Sequence, residues 1–276
     1  CWGENQYGNL GDGSQNFREY PVNVSLNGAT FASVTLGTIH GCALTTAGAA
    51  YCWGRNNGGM VGDGSTTDRA APVAVSGNHT FASLAAGPTY TCGLKSDGSV
   101  WCWGTQNGGT AATQRTVPTQ LTAGGRTITS IAVTVEQVCG AVSTGGIMCW
   151  TGNIFAGSAP AVTSSGITFT ALTGGNRHQC GLVADGRAYC WGFNAAGQLG
   201  TNDINNRTAP ALVAGPYRYA SIDAGENHTC ALGTDDVTYC WGNNVSGQLG
   251  VNVLPTVEPV RVFASAVAAP AGVKFQ

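Results

Sequence analysis

Residues 230–250 read CALGTDDVTYCWGNNVSGQLG, and variants of this stretch recur along the whole chain. In five copies two cysteines lie ten positions apart, and the second cysteine is followed by tryptophan. The pairs are Cys42 and Cys52, Cys92 and Cys102, Cys139 and Cys149, Cys180 and Cys190, and Cys230 and Cys240. A sixth Cys-Trp-Gly begins at Cys1. One structural unit is therefore repeated, and this repeat decides the fold.

The period of the repeat predicts an all-β propeller. Its Cys-Trp motifs begin at positions 1, 52, 102, 149, 190 and 240, so the steps are 51, 50, 47, 41 and 50 residues. A period of about 50 residues with short β-type segments is typical of one four-stranded antiparallel blade per repeat. Helical periodicity is not evident. We therefore expect a single β-propeller domain over residues 1–276.

Six repeats are visible, and the first and last are incomplete. Residues 272–276 align with residues 28–32, and the sixth repeat has no counterpart of residues 33–51. The ring could be six-bladed with a gap, or the sequence could be a window onto a longer propeller, such as a seven-bladed one. In a third arrangement another chain supplies the missing strands and builds an assembly. We favour a fragment of a longer chain.

The spacing within each cysteine pair predicts a cross-linked β-hairpin. A three-residue turn ending at Gly48 would set Cys42 opposite Cys52, and glycine suits the left-handed backbone of such a turn. The same slot holds Gly98, Gly145, Gly186 and Asp236 in the other hairpins. Directly opposed Cα atoms are about 4.5–5.5 Å apart, which a disulfide can span. Cys1 has no partner within its own repeat.

Two alternatives to the disulfides stay open, namely free thiols and a metal site. His40, His178 and His228 each lie two residues before a first cysteine, so a His-x-Cys and Cys set could ligate zinc. Because Tyr90 and Gln137 take this slot in the other repeats, we expect the histidines to be structural and to bridge blades. Disulfides in turn favour an oxidising compartment, either extracellular, cell-surface or periplasmic.

The chain resembles the regulator-of-chromosome-condensation propeller family. The resemblance rests on the two stretches WGFNAAGQLG at 191–200 and WGNNVSGQLG at 241–250, on looser copies after Trp2 and Trp53, and on AGENHTCAL at 224–232. It covers essentially the whole chain and implies a propeller, commonly of seven blades, that acts mainly as a binding platform. The paired cysteines are similar to those of secreted bacterial members, which include a β-lactamase inhibitor.

The founding member of that family is a guanine-nucleotide exchange factor that docks on chromatin, and the charge pattern argues against this role here. Charged residues make up only 9% of the chain, the formal net charge is −2, and there is no run of lysine or arginine. The electrostatic footprint of a nucleic-acid binder is therefore missing. We keep nucleotide exchange as a remote alternative and expect no nucleic-acid partner. No apolar run is long enough to span a membrane.

Two repeats break the symmetry. The one with Trp103 continues as WGTQNGGT at 103–110 and lacks Gln-Leu-Gly, and the one with Trp150 is about nine residues short. Drift in a tolerant loop is one interpretation. A groove or partner surface at these two repeats is the other, because loops on a rigid scaffold carry function.

Catalytic and metal-binding signatures are weak. No nucleophile elbow, zinc-protease, phosphate-loop or dinucleotide motif occurs. The best calcium candidates are Asp12 and Asp63 in Asp-Gly-Ser loops, with Asp68 nearby, but turn formation explains these loops as well. We therefore predict no catalytic residue, no metal and no cofactor. A secreted hydrolase or lyase is the alternative, and carboxylates gathered at one mouth of the propeller would favour it.

Aromatic residues form a row at the position before the second cysteine. Trp101 takes the slot that Tyr51, Tyr189 and Tyr239 fill in other repeats. If the slot faces outward, the row is a ligand surface; packing at the blade edge is the alternative. Taken together, the sequence predicts a non-catalytic extracellular or cell-surface propeller, of bacterial type, that binds a protein or polysaccharide or assembles with itself.

Overall fold

The computed structural model describes residues 1–24, 30–106, 113–156, 160–163, 166–252 and 254–262. These residues form five antiparallel four-stranded sheets, each built from strands that are consecutive in the chain. We call the sheets blades one to five. The described residues contain no helix with the length and apolar character that crossing a bilayer requires.

The strands follow the repeats. Blade one contains β1 (Phe31–Leu36), β2 (His40–Thr45), β3 (Ala50–Gly54) and β4 (Arg69–Ala74). Blade two contains β5 (Ser83–Ala86), β6 (Tyr90–Leu94), β7 (Val100–Thr105) and β8 (Gln114–Gln120). Blade three contains β9 (Ile128–Val133), β10 (Gln137–Val142), β11 (Ile147–Thr151) and β12 (Ala161–Thr163). Blade four contains β13 (Phe169–Gly174), β14 (His178–Val183), β15 (Ala188–Gly192) and β16 (Arg207–Leu212). Blade five contains β17 (Tyr219–Ala224), β18 (His228–Gly233), β19 (Thr238–Gly242) and β20 (Thr256–Arg261).

The described residues form five complete blades, which corrects the expected ring of six or seven. The sixth repeat contributes its third and fourth strand positions within residues 1–24. Gly3 pairs with Arg18 across this segment, as Gly54 pairs with Arg69 in blade one. Cys1 and Val22 exchange two hydrogen bonds of 2.8 and 2.9 Å. The described residues hold no first or second strand for this repeat, so it does not make a blade.

The predicted hairpins are confirmed. Every first cysteine is directly opposite its second cysteine in the ladder, as Cys42 is opposite Cys52, and all five pairs form disulfides with Cα atoms 4.1 Å apart. The third turn residue has a left-handed backbone in all five hairpins, with φ of +79° at Gly48 and +61° at Asp236. Cys1 is a free, half-buried thiol.

The blades radiate from a central channel. The channel is lined by the first strand of every blade, and its interior holds a cavity of about 510 Å³. The turn from first to second strand and the loop from third to fourth strand lie on one side, which we call the loop face. The turn from second to third strand and the connection to the next blade lie on the other side, which we call the hairpin face. The second and third strands are buried between neighbouring blades, because they carry the apolar core.

A proline in each outer strand was not anticipated from the sequence. It immediately precedes the residue that pairs with the second cysteine, as Pro72 precedes Val73, the partner of Cys52. The set is Pro21, Pro72, Pro118, Pro160, Pro210 and Pro259. Proline lacks an N–H group and disfavours the pairing of an edge strand with another chain. The outer rim is therefore protected against strand addition.

We predict that Gly62→Ala destabilises the protein far more than Gly64→Ala. Both glycines have left-handed backbones, with φ of +75° and +87°, so alanine costs about 1–2 kcal/mol at either position. A Cβ at Gly62 would also lie 2.6 Å from Cδ1 of Trp103 in the next blade, whereas at Gly64 the nearest atom is 3.7 Å away. Overpacking of this kind adds about 1–3 kcal/mol. Urea unfolding of both variants measures the difference, and equal losses would contradict the account.

Candidate functional site: the loop face

The loops on this face hold neighbouring blades together. The indole N–H of Trp103 donates to the carbonyl of Met60 in the preceding blade at 2.8 Å. Trp241 donates to Gln198 at 2.9 Å, and Trp53 donates to Asn9 at 3.0 Å. The three acceptors occupy the Gln position of the Gly-Gln-Leu-Gly motif. This motif therefore acts on the next blade, and we call the contact the indole clasp.

A histidine and a threonine extend the clasp. Nε2 of His40 lies 2.8 Å from Oγ1 of Thr91 in the next blade, and Oγ1 of Thr91 lies 3.3 Å from the carbonyl of Met60. His178 and Thr229 repeat this arrangement. Because the threonine proton goes to the carbonyl, its oxygen must accept from the histidine, which fixes the Nε2–H tautomer. Burial lowers the pKa of His40 to about 4 and that of His178 to about 3, so both rings are neutral at pH 7.

Other side chains do the same task in blades two and three. The hydroxyl of Tyr90 donates to the carbonyl of Thr134 at 2.7 Å, reaching blade three from the histidine slot of blade two. Nε2 of Gln137 donates to Oε1 of Gln179 in blade four at 3.3 Å. In blades one to four the residue two positions before the first cysteine therefore bridges to the next blade, whereas no such hydrogen bond from His228 of blade five is found among the described residues. Nowhere among the described residues do three His, Cys, Asp or Glu side chains gather as a metal site requires.

The three calcium candidates lie in the loops that follow the third strand position. Asp63 accepts hydrogen bonds from Ser65 and forms an ion pair with Arg69, whose Nη2 lies 2.6 Å from Oδ2 of Asp63. Asp12 makes the same contacts with Ser14 and Arg18. Burial alone would raise the pKa of Asp12, but the hydrogen bonds from Ser14 and Arg18 lower it to about 2.

Asp68 accepts from the backbone N–H of Asn56 at 2.7 Å. The loop also reaches the next blade, since the N–H of Gly64 donates to the carbonyl of Thr116 at 2.9 Å. These carboxylates therefore shape loops that help to join blades.

The row of aromatic residues lies towards the hairpin face and is partly covered. The ring of His79 packs on Trp101 with centroids 4.5 Å apart, and the ring of Tyr217 packs on Tyr239 at 4.4 Å. Tyr239 is buried, whereas Tyr51, Trp101 and Tyr189 are half-buried. Each ring therefore packs against residues of its own blade or of the adjoining connection and keeps part of its surface exposed in three of the four cases.

The break in symmetry lies between blades two and three. Gln106 replaces the loop asparagine of the other repeats, and its longer side chain reaches blade three. Its Nε2 donates to the carbonyl of Glu136 at 2.7 Å, and its Oε1 accepts from the N–H of Ile154 at 3.0 Å. Trp150 finds a different acceptor, the carbonyl of Thr122. Residues 107–110 of the motif-breaking loop lie outside the described residues.

The mouth of the channel on the loop face is a concave, mixed-charge surface. It holds a cavity of about 430 Å³ whose rim includes Pro88, Val135, Asn176 and Glu226. The N–H of Val135 donates to the carbonyl of Asn176, and the N–H of Asn176 donates to that of Glu226, so the rim is continuous over three blades. Beside it Arg177 and Glu136 form an ion pair of 2.7 Å with both side chains about half exposed, 52% and 54%.

Three arginine–aromatic pairs lie on the loop face outside the lining of this mouth. Arg177 lies 5.4 Å from the ring centroid of Phe193, Arg115 lies 5.3 Å from that of Phe155, and Arg55 lies 4.7 Å from that of Tyr7. These residues were not predicted from the sequence. What could have marked them as candidates for recognition is variability within a regular motif, since the residue after Trp-Gly differs between copies: Glu4, Arg55, Thr105, Phe193 and Asn243.

We predict that stability falls as the pH drops below about 6.5, in part through His40 and His178. Their folded pKa values lie below the unfolded value of 6.5, so the unfolded chain binds more protons between about pH 4 and 6.5. Each histidine then contributes up to about 1.4 kcal/mol per pH unit. Urea unfolding from pH 7 to 5 should show a shallower dependence for His40→Gln than for the natural sequence. An unchanged slope would contradict the buried neutral state.

Comparison with known proteins assigns the repeat. The profile for the regulator of chromosome condensation (RCC1) repeat matches residues 1–44, 47–94 and 185–232, and a second RCC1 repeat profile matches 169–198 and 219–248. The probable E3 ubiquitin-protein ligase HERC4 of Homo sapiens is 39% identical over 74 residues, which are 26% of this chain and 7% of that ligase. The human E3 ubiquitin-protein ligase HERC2 is 38% identical over 77 residues, 28% of this chain and 2% of that protein. The chain thus matches only a small part of these relatives.

Solved structures share the fold. Human WBSCR16 superposes with a TM-score of 0.80 at 19% identity, covering 95% of this chain and 75% of that one. Yeast RCC1 (Prp20), solved with Kap60, also gives 0.80, at 22% identity over 95% and 71% of the two chains. The CRINKLY WD40 ectodomain of the Arabidopsis thaliana receptor kinase ACR4 gives 0.53 at 23% identity, over 83% and 68%. The repeat profiles, the indole clasp and these superpositions agree, and the chain belongs to the regulator of chromosome condensation (RCC1) repeat family.

Proposed function

We propose that this propeller is a non-catalytic extracellular or cell-surface scaffold that recognises a partner through its loop face. The observation that carries the proposal is the set of three arginine–aromatic pairs on the loop face. Arginine and aromatic residues are enriched at the energetic centres of protein interfaces, because they combine large contact area with directed hydrogen bonds. We therefore favour a protein over a polysaccharide as the partner.

The rigidity of the blades supports this proposal. Five disulfides and the contacts between blades hold the loops in place, so binding would cost little ordering of the surface. The disulfides also support a location in an oxidising compartment. Yeast RCC1, which shares the fold, was solved bound to another protein, Kap60.

The lowered pKa values of the aspartates favour a binding protein over a hydrolase. A general acid of a hydrolase needs a raised pKa so that it still holds its proton near neutral pH. Every aspartate of the described residues whose pKa departs from the ordinary value has it lowered, as for Asp63 and Asp203. A secreted hydrolase or lyase remains the second candidate, and nucleotide exchange the remote third.

A retention experiment tests the proposed function. The oxidised protein is immobilised and exposed to culture fluid and to envelope extract of the source organism. We expect the retained protein to be lost with Arg177→Ala/Phe193→Ala on the loop face and kept with Arg218→Ala/Tyr217→Ala on the hairpin face. Thermal unfolding confirms that both variants are folded.

Equal retention by the two double variants would contradict recognition through the loop face. Release of sugar or peptide fragments from the extract by the natural sequence, lost in neither variant, would favour the hydrolase or lyase instead. Retention of a polysaccharide alone would replace the protein partner with a glycan.

A further inference from the structure

We propose that the cleft between blades one and two on the loop face is a socket for an acidic side chain of a partner peptide, with Arg55 as its anion contact. The inference rests on the proposed function and names the partner chemistry at one point of that face. Three observations carry it. One is an arginine without an acidic partner, the second is a cavity of side-chain size, and the third is a pair of hydroxyl groups that already donate their protons to backbone carbonyls.

Arg55 combines the lack of an acidic partner with a position in a cavity on the loop face. Several arginines of the loops and strands form ion pairs with aspartate, as Arg69 does with Asp63 and Arg207 does with Asp203. Among the described residues Arg55 forms no ion pair. Its guanidinium instead lies 4.7 Å from the ring centroid of Tyr7, and its backbone N–H donates to the carbonyl of Ile39 at 3.0 Å. A half-buried arginine held by an aromatic face is preorganised to accept a carboxylate.

The cavity beside Arg55 has a volume of about 220 Å³. This is smaller than the roughly 300–1,000 Å³ of sites that enclose a whole small ligand. Its walls include Ile39 and the buried Met60, which are apolar and would pack against methylene groups. Among the described residues the cavity is open on one side, so one side chain of a peptide that crosses above it can enter. The size and lining therefore suit the side chain of glutamate.

The polar groups of the cavity define what else the ligand must offer. Oγ1 of Thr105 donates to the carbonyl of Gly58 at 2.7 Å, and Oγ1 of Thr89 donates to the carbonyl of Thr105. Each hydroxyl has one proton, so both oxygens are left as acceptors. The exposed amide of Asn57 lies at the same rim. A peptide residue fits this pattern, because its carboxylate meets Arg55 while its backbone N–H meets a threonine oxygen.

NMR titration with N-acetyl-glutamate N-methylamide tests the socket. The probe has one side-chain carboxylate and two peptide N–H groups, and its size predicts a Kd of about 1 mM. Shifts of the Arg55 Nε–H and of the Thr89 and Thr105 amides report binding. The uncharged isostere N-acetyl-glutamine N-methylamide is the matched ligand control. N-acetylglycine tests whether a chain-terminal carboxylate is preferred.

Two variants separate this site from general attraction to arginine. Arg55→Gln should weaken binding of the glutamate probe by about tenfold or more, as expected for a lost charge-assisted hydrogen-bonded pair. Arg126→Gln is the matched control, because Arg126 also forms no ion pair among the described residues and lines a groove on the hairpin face. It should leave the Kd unchanged.

Several results would overturn the inference. These are no saturable shift at Arg55 in tens of millimolar probe, equal binding of the glutamine isostere, equal loss in both variants, or tighter binding of N-acetylglycine. If one of these results is obtained while the retention experiment still depends on the loop face, the socket is wrong and the proposed function stands. If instead the probe binds at Arg55 as expected but the two double variants retain the partner equally, the proposed function is wrong.

Discussion

A single backbone carbonyl in each regular loop holds the adjacent blade, and the propeller depends on it. The carbonyl of Met60 accepts from both Trp103 and Thr91 of the next blade, and that of Gln198 accepts from Trp241 and Thr229. A carbonyl oxygen has two lone pairs, so one atom satisfies two buried donors. Because buried donors left unsatisfied are costly, loop and neighbouring blade must keep their relative positions. The clasp therefore fixes each regular loop against the next blade.

This constraint frees other positions for recognition. The motif residues of the loop are committed to the clasp, and Asp63 with Arg69 stabilises the loop itself. The side chains at the position after Trp-Gly and in the turn before the second strand take no part in the clasp, and these positions supply Arg55, Phe193 and Arg177 on the loop face. A rigid scaffold with variable loop positions is the usual arrangement of a binding surface. The outer prolines add to it by blocking edge pairing, which would otherwise compete with specific recognition.

The repeat period, the four-stranded blades and the cysteine hairpins could be read from the sequence, because each depends on contacts within one repeat. The number of blades was expected to be six or seven, because a repeat without a counterpart of residues 33–51 makes a blade only if strands from elsewhere complete it. Contacts between repeats were harder still. His40 with Thr91 and Gln137 with Gln179 are matched across neighbouring blades, and this match becomes visible only when one repeat is compared with the next. The packing of His79 on Trp101 was not predicted either, because His79 lies in the connection between blades.

The most direct test of the clasp is a double-mutant cycle on His178 and Thr229. The free energy of unfolding is measured for the natural sequence, His178→Ala, Thr229→Val and the double variant. The account predicts a coupling of about 1 kcal/mol or more, because each single change leaves a buried partner unsatisfied across the interface between blades. Additive losses, within about 0.3 kcal/mol, would show that the two residues act independently and would contradict the central role of the contact.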